Sequence, residues 1–264
     1  SDKSIISTID TDLLRTPIES RNISDNVKKA VIATEDENFK THKGVVPKAV
    51  FRATLASVLG LGENSGGSTL TQQLLKQQVL GDDPTFKRKT KEIIYALALE
   101  RYIGKDSILT NYLNVSPFGR NNRGQNIAGI EEAAKGIFGV AAKDLTIPQA
   151  AFLAGLPQSP ITYSPYTADG KFKTKKDMEY GLKRSQNVLY NMYRTGVLSK
   201  VDYESYKKYD LRKDFKRPQA SQTDSHDYLY YSVFEEAQKI MYDYLIKRDH
   251  VSSQDLKNDK TKAA

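Results

Sequence analysis

Hydrophobic residues recur three and four positions apart along most of the chain, which is the spacing of one face of an α-helix. In the first such segment, Ser24 precedes Val27, Ala30 and Val31. A serine at that position can cap a helix, so the pattern predicts a helix that ends at or near Glu35. Period-two alternation between Asn-Gly or Asp-Gly turns is scarce. The sequence therefore predicts a mainly α protein.

Turn and capping residues predict where the next helices begin and end. Asp83 and Pro84 suit the N-cap and first turn of a helix that is ended by Gly104. Asp106 or Ser107 then opens another helix.

The second half of the chain is also predicted to be mainly helical. Helices are predicted at Ile130 to Gly139, at Pro148 to Leu156 as a buried helix, and as an amphipathic pair between Asp177 and Lys208. The stretch from Asn114 to Gly129 is polar and rich in glycine and asparagine. It is predicted to be a loop of the kind that lines a cleft.

The segment from Gly66 to Lys76 joins a glycine pair to a helix with polar residues at helical spacing. Thr69, Gln73 and Lys76 fall on one stripe of that helix. Ser68 can cap it, and the exposed N–H groups at a helix start favour an anion such as phosphate. The alternative is a flexible turn followed by a capped surface helix.

Composition narrows the possible functions without choosing one. The chain has 264 residues, 39% of them hydrophobic, so it can bury a core. Its net charge of +8 favours an acidic partner, which could be nucleic acid, anionic lipid or a phosphorylated substrate. It contains no cysteine, which excludes disulfides and a thiol nucleophile. The three histidines lack metal-ligand spacing, so a zinc site is not expected.

The most apolar segment runs from Val45 to Gly62, but Pro47, Lys48 and Arg52 interrupt it. That composition argues against a membrane-spanning helix. Two interpretations stay open, an interfacial segment whose cations meet lipid headgroups and an ordinary core helix. The chain shows no signal peptide, and we expect it to be a fragment without its transmembrane anchor.

Glu35 is the first candidate catalytic residue. It is predicted to lie at the negative end of a helix dipole with Asp36 beside it, and both charges would raise its pKa. A carboxylate tuned in this way suits a general base for a sugar hydroxyl, provided that it lies in a cleft. The alternative is a solvated surface Glu-Asp pair.

Glu92 is the second candidate, one helical turn after Arg88. A surface ion pair is one interpretation. In the other, Arg88 and Lys76 clamp a diphosphate while Glu92 orients a cation or substrate. Arginine suits phosphate as a planar fork and lysine as a point charge.

Five sequence blocks follow one another along the chain. They are E-D-E-N-F-K-T-H-K-G, G-G-S-T-L-T-Q-Q-L-L-K-Q, R-K-T-K-E, K-D-S-I-L-T-N-Y-L-N and A-F-L-A-G-L-P-Q-S-P. In this order they resemble the peptidoglycan glycosyltransferase module of class A penicillin-binding proteins. The resemblance covers about Ile5 to Leu211.

The resemblance implies a lysozyme-like, two-lobed helical domain with a smaller, membrane-associated lobe that includes Val45 to Gly62. It implies polymerisation of lipid II, with the growing chain on its undecaprenyl diphosphate as donor and the 4-hydroxyl of a second lipid II as acceptor. The anomeric centre is inverted. The location implied is the extracytoplasmic face of the bacterial cell membrane, and the antibiotic moenomycin is the expected inhibitor.

The resemblance also implies roles for single residues. Glu35 would be the base, and Glu92 would assist near the diphosphate. Lys76 and Arg88 would stabilise the leaving diphosphate. The remaining matched positions would shape the cleft or bind substrate: Asp36, Phe39, His42, Ser68, Thr69, Gln73 and, by a looser match, Arg184. No cofactor is implied, although a divalent cation such as Mg²⁺ could help neutralise the diphosphate.

The domain prediction places the glycosyltransferase at 1–213 and a linker region at 214–264, leading to an absent transpeptidase domain. Ser205-Tyr206-Lys207-Lys208 and Ser24-Asp25-Asn26 match transpeptidase motifs formally, but in the wrong order, and there is no Lys-Thr-Gly. Penicillin binding is therefore not predicted for this chain.

Two rival functions belong to other classes. A lytic muramidase of lysozyme-like fold would also use one glutamate, but it would need no diphosphate clamp. A basic nucleic-acid-binding domain would show clustered cations with stacking aromatics, whereas the tyrosines here are dispersed. We therefore expect no nucleic-acid partner.

Overall fold

The computed structural model describes residues 13–51, 67–81 and 85–219, with a few helical positions between 236 and 247. The chain divides into two compact units, 12–221 and a second one formed by 1–11 with 222–264.

Helices make up most of the first unit, which confirms the mainly α prediction. They are α1 (Asp25–Glu35), α2 (Leu70–Leu75), α3 (Phe86–Tyr102), α4 (Lys105–Val115), α5 (Ile130–Ala133), α6 (Ile147–Gly155), α7 (Pro160–Tyr163), α8 (Lys175–Arg194) and α9 (Lys200–Lys207). Two of them continue as single π-helical turns, α2 through Lys76–Leu80 and α5 through Ala134–Phe138. Short 3-10 turns occur at Ser20–Asn22, Ala142–Asp144, Leu156–Gln158 and Leu211–Asp214.

The central layer packs α1 against α6 and α8. Ser24 caps α1 by accepting a hydrogen bond from the Asn26 N–H, as predicted, and Glu35 is the last residue of the helix. Val27, Ala30 and Val31 are fully buried, so the predicted apolar face is the buried one. This packing fixes the C-terminal end of α1, where the candidate base lies.

Three helix starts differ from the predictions. Thr69 caps α2, with a capping box formed by its own hydroxyl and the Gln72 side chain, so Ser68 is not the cap. Thr85 caps α3 through the Arg88 N–H. The next helix begins at Lys105, one residue before the predicted Asp106. Residues 82–84, which include the predicted cap Asp83, lie outside the described part of the chain.

The predicted loop between Asn114 and Gly129 is largely a β-hairpin. Its strands are β2 (Pro117–Arg120) and β3 (Asn126–Ala128), and β1 (Leu13–Arg15) pairs in parallel with β3, which gives the order β1-β3-β2. The loop prediction was wrong here because short strands with several polar and glycine positions carry little period-two signal.

The later helices agree with the predictions. Residues 147–155 are almost entirely buried, and the amphipathic pair corresponds to α8 and α9 with the turn at Gly196. The compact unit continues past the predicted boundary at 213. Phe215 is buried, Tyr166 donates to the Lys216 carbonyl at 2.6 Å, and the Gln219 N–H donates to the Asn122 carbonyl at 2.8 Å. The first residues of the predicted linker therefore pack on this unit.

Only the beginning of the apolar segment 45–62 is described, and residues 47–51 are helical. Residues 52–62 lie outside the described part, so the smaller membrane-associated lobe stays a prediction. Across the described residues, no helix combines the length and the apolar character that crossing a bilayer requires.

Candidate active site

A cleft of about 870 Å³ opens between the end of α1, helix α2 and the edge of the small sheet. Five of the predicted site residues line it: Glu35, Ser68, Gln73, Lys76 and Glu92, together with the loosely matched Arg184. Further lining comes from Leu13, Arg15, Thr34, Gln72, Gln77, Gln78, Val115, Pro117, Pro157 and Gln158. The structure therefore brings together residues from positions 13 to 184 of the chain.

The Glu35 carboxylate is held between two side chains. Arg184 of α8 donates from Nη2 to Oε1 at 2.8 Å, and the Gln73 amide donates from Nε2 to Oε2 at 3.3 Å. The Glu35 side chain keeps 17% of its surface exposed, within the cleft. The interpretation as a solvated surface pair therefore does not describe this glutamate.

Asp36 does not face Glu35, although the two are adjacent in sequence. Its carboxylate is buried and accepts hydrogen bonds from His42 at 2.8 Å and from the Leu70 N–H at 2.9 Å. The Gly44 N–H donates to Nδ1 of His42 at 3.1 Å, which makes Nε2 the protonated nitrogen that donates to Asp36. Asp36 and His42 therefore tie the loop after α1 to the start of α2.

Phe39 and Thr69 also help to hold the loop after α1 against the start of α2, and neither of them lines the cleft. The Phe39 ring is buried, and the Lys105 ammonium lies 4.5 Å from its centroid. The Thr69 hydroxyl donates to the Gly44 carbonyl at 2.6 Å. Gly44 has φ of 88°, and a Cβ there would lie 2.4 Å from the Ala96 carbonyl oxygen, so this close contact requires glycine.

Glu92 is buried among cations at the other end of the cleft. Its side chain is 2% exposed and contacts the Arg88 guanidinium and the Lys89 ammonium, each at 2.5 Å. The Gln72 amide also donates to Glu92, at 3.1 Å. The interpretation as a surface ion pair therefore fails, because the carboxylate is withdrawn from solvent and holds two cations at once.

Lys89 and Gln72 were missed by the sequence reasoning. The ammonium of Lys89 also donates to the Ser68 hydroxyl at 2.7 Å, which places a second cation beside the glycine-rich turn. Its position three residues before Glu92 was a usable signal, since such residues share a helix face. Gln72 could have been found as the third residue of a capping box that begins at Thr69.

Lys76 lines the cleft from the π-helical turn that follows α2. Such turns are rare and are frequent at functional sites. The cleft is therefore lined by the candidate base Glu35, by Lys76 and by Glu92. Arg88, a predicted site residue, and Lys89 do not line it themselves but contact the Glu92 carboxylate.

The described residues do not form a set of ligands suited to a resident metal ion. They contain no group of three or more acidic or histidine side chains that could hold one. Of the two cleft glutamates, each already has a cationic partner. Metal dependence stays a prediction.

Comparison with known proteins assigns the chain to a family. The family model described as "Transglycosylase" matches residues 2–193. Penicillin-binding protein 1F of Bacillus subtilis is 41% identical over 66% of this chain and 24% of its own length. Penicillin-binding protein 1A of Clostridium perfringens is 38% identical over 70% of this chain and 27% of its own length.

Two further matches are of the same kind. Penicillin-binding protein 2a of Streptococcus pneumoniae is 38% identical over 70% of this chain and 23% of its own length. The crystal structure of penicillin-binding protein 1A from Haemophilus influenzae matches 85% of this chain and 21% of its own, with 19% identity and a TM-score of 0.47. The chain spans about a quarter of the length of the curated relatives named here. It belongs to the transglycosylase family and is a peptidoglycan glycosyltransferase domain of the class A penicillin-binding-protein type.

Proposed function

We propose that this domain polymerises lipid II into glycan strands, with Glu35 as the general base and undecaprenyl diphosphate as the leaving group. The observation that carries the proposal is one cleft lined by Glu35, Lys76 and Glu92. Gln73 of α2 donates to Glu35, and the preceding Gln72 donates to Glu92, the carboxylate that holds Arg88 and Lys89. A proton acceptor and a phosphate-binding cation cluster are the two elements that this reaction needs.

In the proposed reaction, a Glu35 oxygen accepts the proton of the acceptor 4-hydroxyl while the oxygen of that hydroxyl attacks the anomeric carbon of the donor sugar. The bond from the anomeric carbon to the diphosphate oxygen breaks, and its electron pair leaves with the diphosphate. Attack from the face opposite the leaving group inverts the anomeric centre. Arg184 and Gln73 hold the Glu35 carboxylate in the orientation required for proton transfer.

Negative charge grows on the departing diphosphate, so cations fixed near it stabilise the transition state more than the ground state. Lys76 and Arg88 are the proposed contacts, and Lys89 beside Ser68 adds a third cation. Glu92 contributes by fixing Arg88 and Lys89 in place, because its carboxylate holds both of them. In this proposal Glu92 acts through the cations rather than on the sugar.

In the muramidase alternative these cations would have no function, because hydrolysis of the bond between two sugars releases no diphosphate. The buried cluster around Glu92 therefore favours transfer from a lipid diphosphate. The proposal places the domain at the extracytoplasmic membrane surface, where its lipid-linked donor and acceptor lie.

The test is polymerisation of labelled lipid II in detergent by the wild type and by Glu35→Gln. We expect glycan polymer from the wild type and a loss of about three orders of magnitude in the variant, within the range of general-base catalysis. Equal rates in the two proteins would overturn the assignment of the base. Release of soluble muropeptides from preformed glycan by the wild type would instead support the muramidase.

A second test uses the inhibitor that the resemblance implies. Moenomycin is expected to bind the donor end of the cleft and to raise the melting temperature, because it binds the folded state alone. Arg88→Ala should weaken that shift more than Lys183→Ala, whose ammonium pairs with Glu179 on the exposed side of α8. An equal shift in both variants would count against diphosphate binding near Arg88.

A further inference from the structure

Tyr112 lies directly beneath the cleft, on the face of α4 that packs against α2. It is fully buried, and its hydroxyl donates to Oε1 of Gln73 at 3.3 Å. The Gln73 amide in turn donates from Nε2 to Glu35 at 3.3 Å. A chain of hydrogen bonds therefore runs from the core through Gln73 to the proposed base.

The two ends of a glutamine amide are opposite in hydrogen-bonding character, because the oxygen accepts and the nitrogen donates. A flipped Gln73 would present Oε1 to the Glu35 carboxylate, so that two acceptors would face each other. The Glu35 carboxylate, which only accepts, favours the orientation seen, and a donor at the other end of the amide stabilises that same orientation. The one other contact described for Nε2 is the Ser68 carbonyl at 3.5 Å, which is longer than the contact with Glu35.

Tyr112 is suited to be that donor because its hydroxyl keeps its proton. Burial and, to a smaller degree, the negative charge of Glu35 raise the pKa of the Tyr112 phenol. A hydrogen bond with Ser116 and the charge of Arg184 lower this pKa, but by less, so the net shift is upward. The phenol therefore keeps its proton in the working pH range and can donate to the Gln73 oxygen.

We infer that Tyr112 is a positioning residue for the proposed reaction, in which its O–H orients the Gln73 amide so that Gln73 donates to Glu35. This inference rests on the proposed function for its effect on rate. The structural part of the inference, the orientation of the Gln73 amide, can be tested without measuring activity.

The test variant is Tyr112→Phe, which keeps the buried ring and removes the oxygen. We expect kcat for lipid II polymerisation to fall about tenfold, the loss of a hydrogen bond worth roughly 1.4 kcal/mol, while KM changes less than twofold. The matched control is Tyr166→Phe. Tyr166 is also fully buried, and its hydroxyl donates to the Ile137 and Lys216 carbonyls, away from the cleft. The control should keep the wild-type kcat, and melting temperatures report any loss of stability in either variant.

A double-mutant cycle separates positioning from packing. If Tyr112 acts through Gln73, the change Tyr112→Phe in a Gln73→Ala background should lower kcat less than twofold further. A full tenfold fall in that background would overturn the inference, because Tyr112 would then act by another route.

A readout that needs no turnover completes the test. The Gln73 side-chain amide gives a pair of NMR signals, which are assigned by their loss in Gln73→Ala. In Tyr112→Phe these signals should shift and exchange faster with solvent, whereas in Tyr166→Phe they should stay unchanged. Unchanged signals in Tyr112→Phe overturn the inference even if the domain makes no polymer, and absence of polymer with shifted signals counts against the proposed function alone.

Discussion

The two glutamates of the cleft have different surroundings. Glu35 contacts one guanidinium and one amide and keeps 17% of its side chain exposed. Glu92 contacts a guanidinium, an ammonium and an amide and is 2% exposed. The more exposed carboxylate retains access for a substrate hydroxyl, whereas the buried one is enclosed by the groups that it holds.

Two acidic residues in one cleft therefore need not share a role. A carboxylate that accepts a proton from substrate must reach it, and a carboxylate that fixes cations must be well enclosed to hold them rigidly.

Glu35→Gln should produce the largest loss of activity with little change in stability. The polymerisation rate should fall about 10³-fold, because the amide cannot accept the proton. The free energy of unfolding, measured by chemical denaturation, should change by less than about 1 kcal/mol, since the side chain stays partly solvated. A stability loss as large as that of a Glu92 variant would show that the two sites do not differ as described.

Glu92→Gln should affect activity and stability together. Removing this charge leaves the Arg88 and Lys89 cations without their buried counter-ion, which typically costs about 3–5 kcal/mol at a fully enclosed pair. Polymerisation should fall about 100-fold. The control is Glu179→Gln, which breaks an exposed pair with Lys183 and should cost less than about 0.5 kcal/mol. Similar stability of the two variants would contradict the burial argument.

Arg184→Gln should lower the rate about tenfold by releasing the Glu35 carboxylate from its partner. The matched control is Arg194→Gln on the same helix. Arg194 pairs with Glu37 just beyond the end of α1, but that pair is 48% and 46% exposed, so its loss should change the rate less than twofold. An equal fall in kcat for the two variants would show that Arg184 acts through the general surface charge and does not orient the Glu35 carboxylate.

Arg88→Lys should have the smallest effect of the set. The charge near Glu92 remains, but lysine cannot present the planar fork that contacts carboxylate or phosphate with two N–H groups. We expect a three- to tenfold rise in KM for lipid II and a loss of stability smaller than that of Glu92→Gln. An unchanged KM would show that Arg88 does not contact the diphosphate of lipid II.

The parts of the fold that sequence could predict are those fixed by neighbouring residues. The Ser24 cap, the apolar face of α1 and the position of Glu35 at its end follow from spacing within one helix. The pair of Arg184 with Glu35 spans 149 positions, so no local pattern encodes it. The hairpin from 117 to 128 was missed for a related reason, since β1, from the start of the described chain, completes its sheet.

The site shows the same division. The family motifs brought Lys76, Arg88 and Glu92 into one hypothesis. In the structure Lys76 and Glu92 line the cleft, and Arg88 contacts Glu92. What the motifs could not indicate is the direction in which each side chain points. Asp36 follows Glu35 in sequence, yet its carboxylate faces His42, because the chain leaves the helical conformation at that residue.

The consecutive amides of Gln72 and Gln73 have a mechanical consequence. Both glutamates are attached to one short helix, and successive side chains of a helix diverge by about 100°, which directs the two contacts to different sides. In the proposed reaction, Gln73 holds the carboxylate that accepts the proton and the neighbouring Gln72 holds the carboxylate that fixes the cations. A substitution that displaces α2 should therefore disturb the proton acceptor and the cation cluster together.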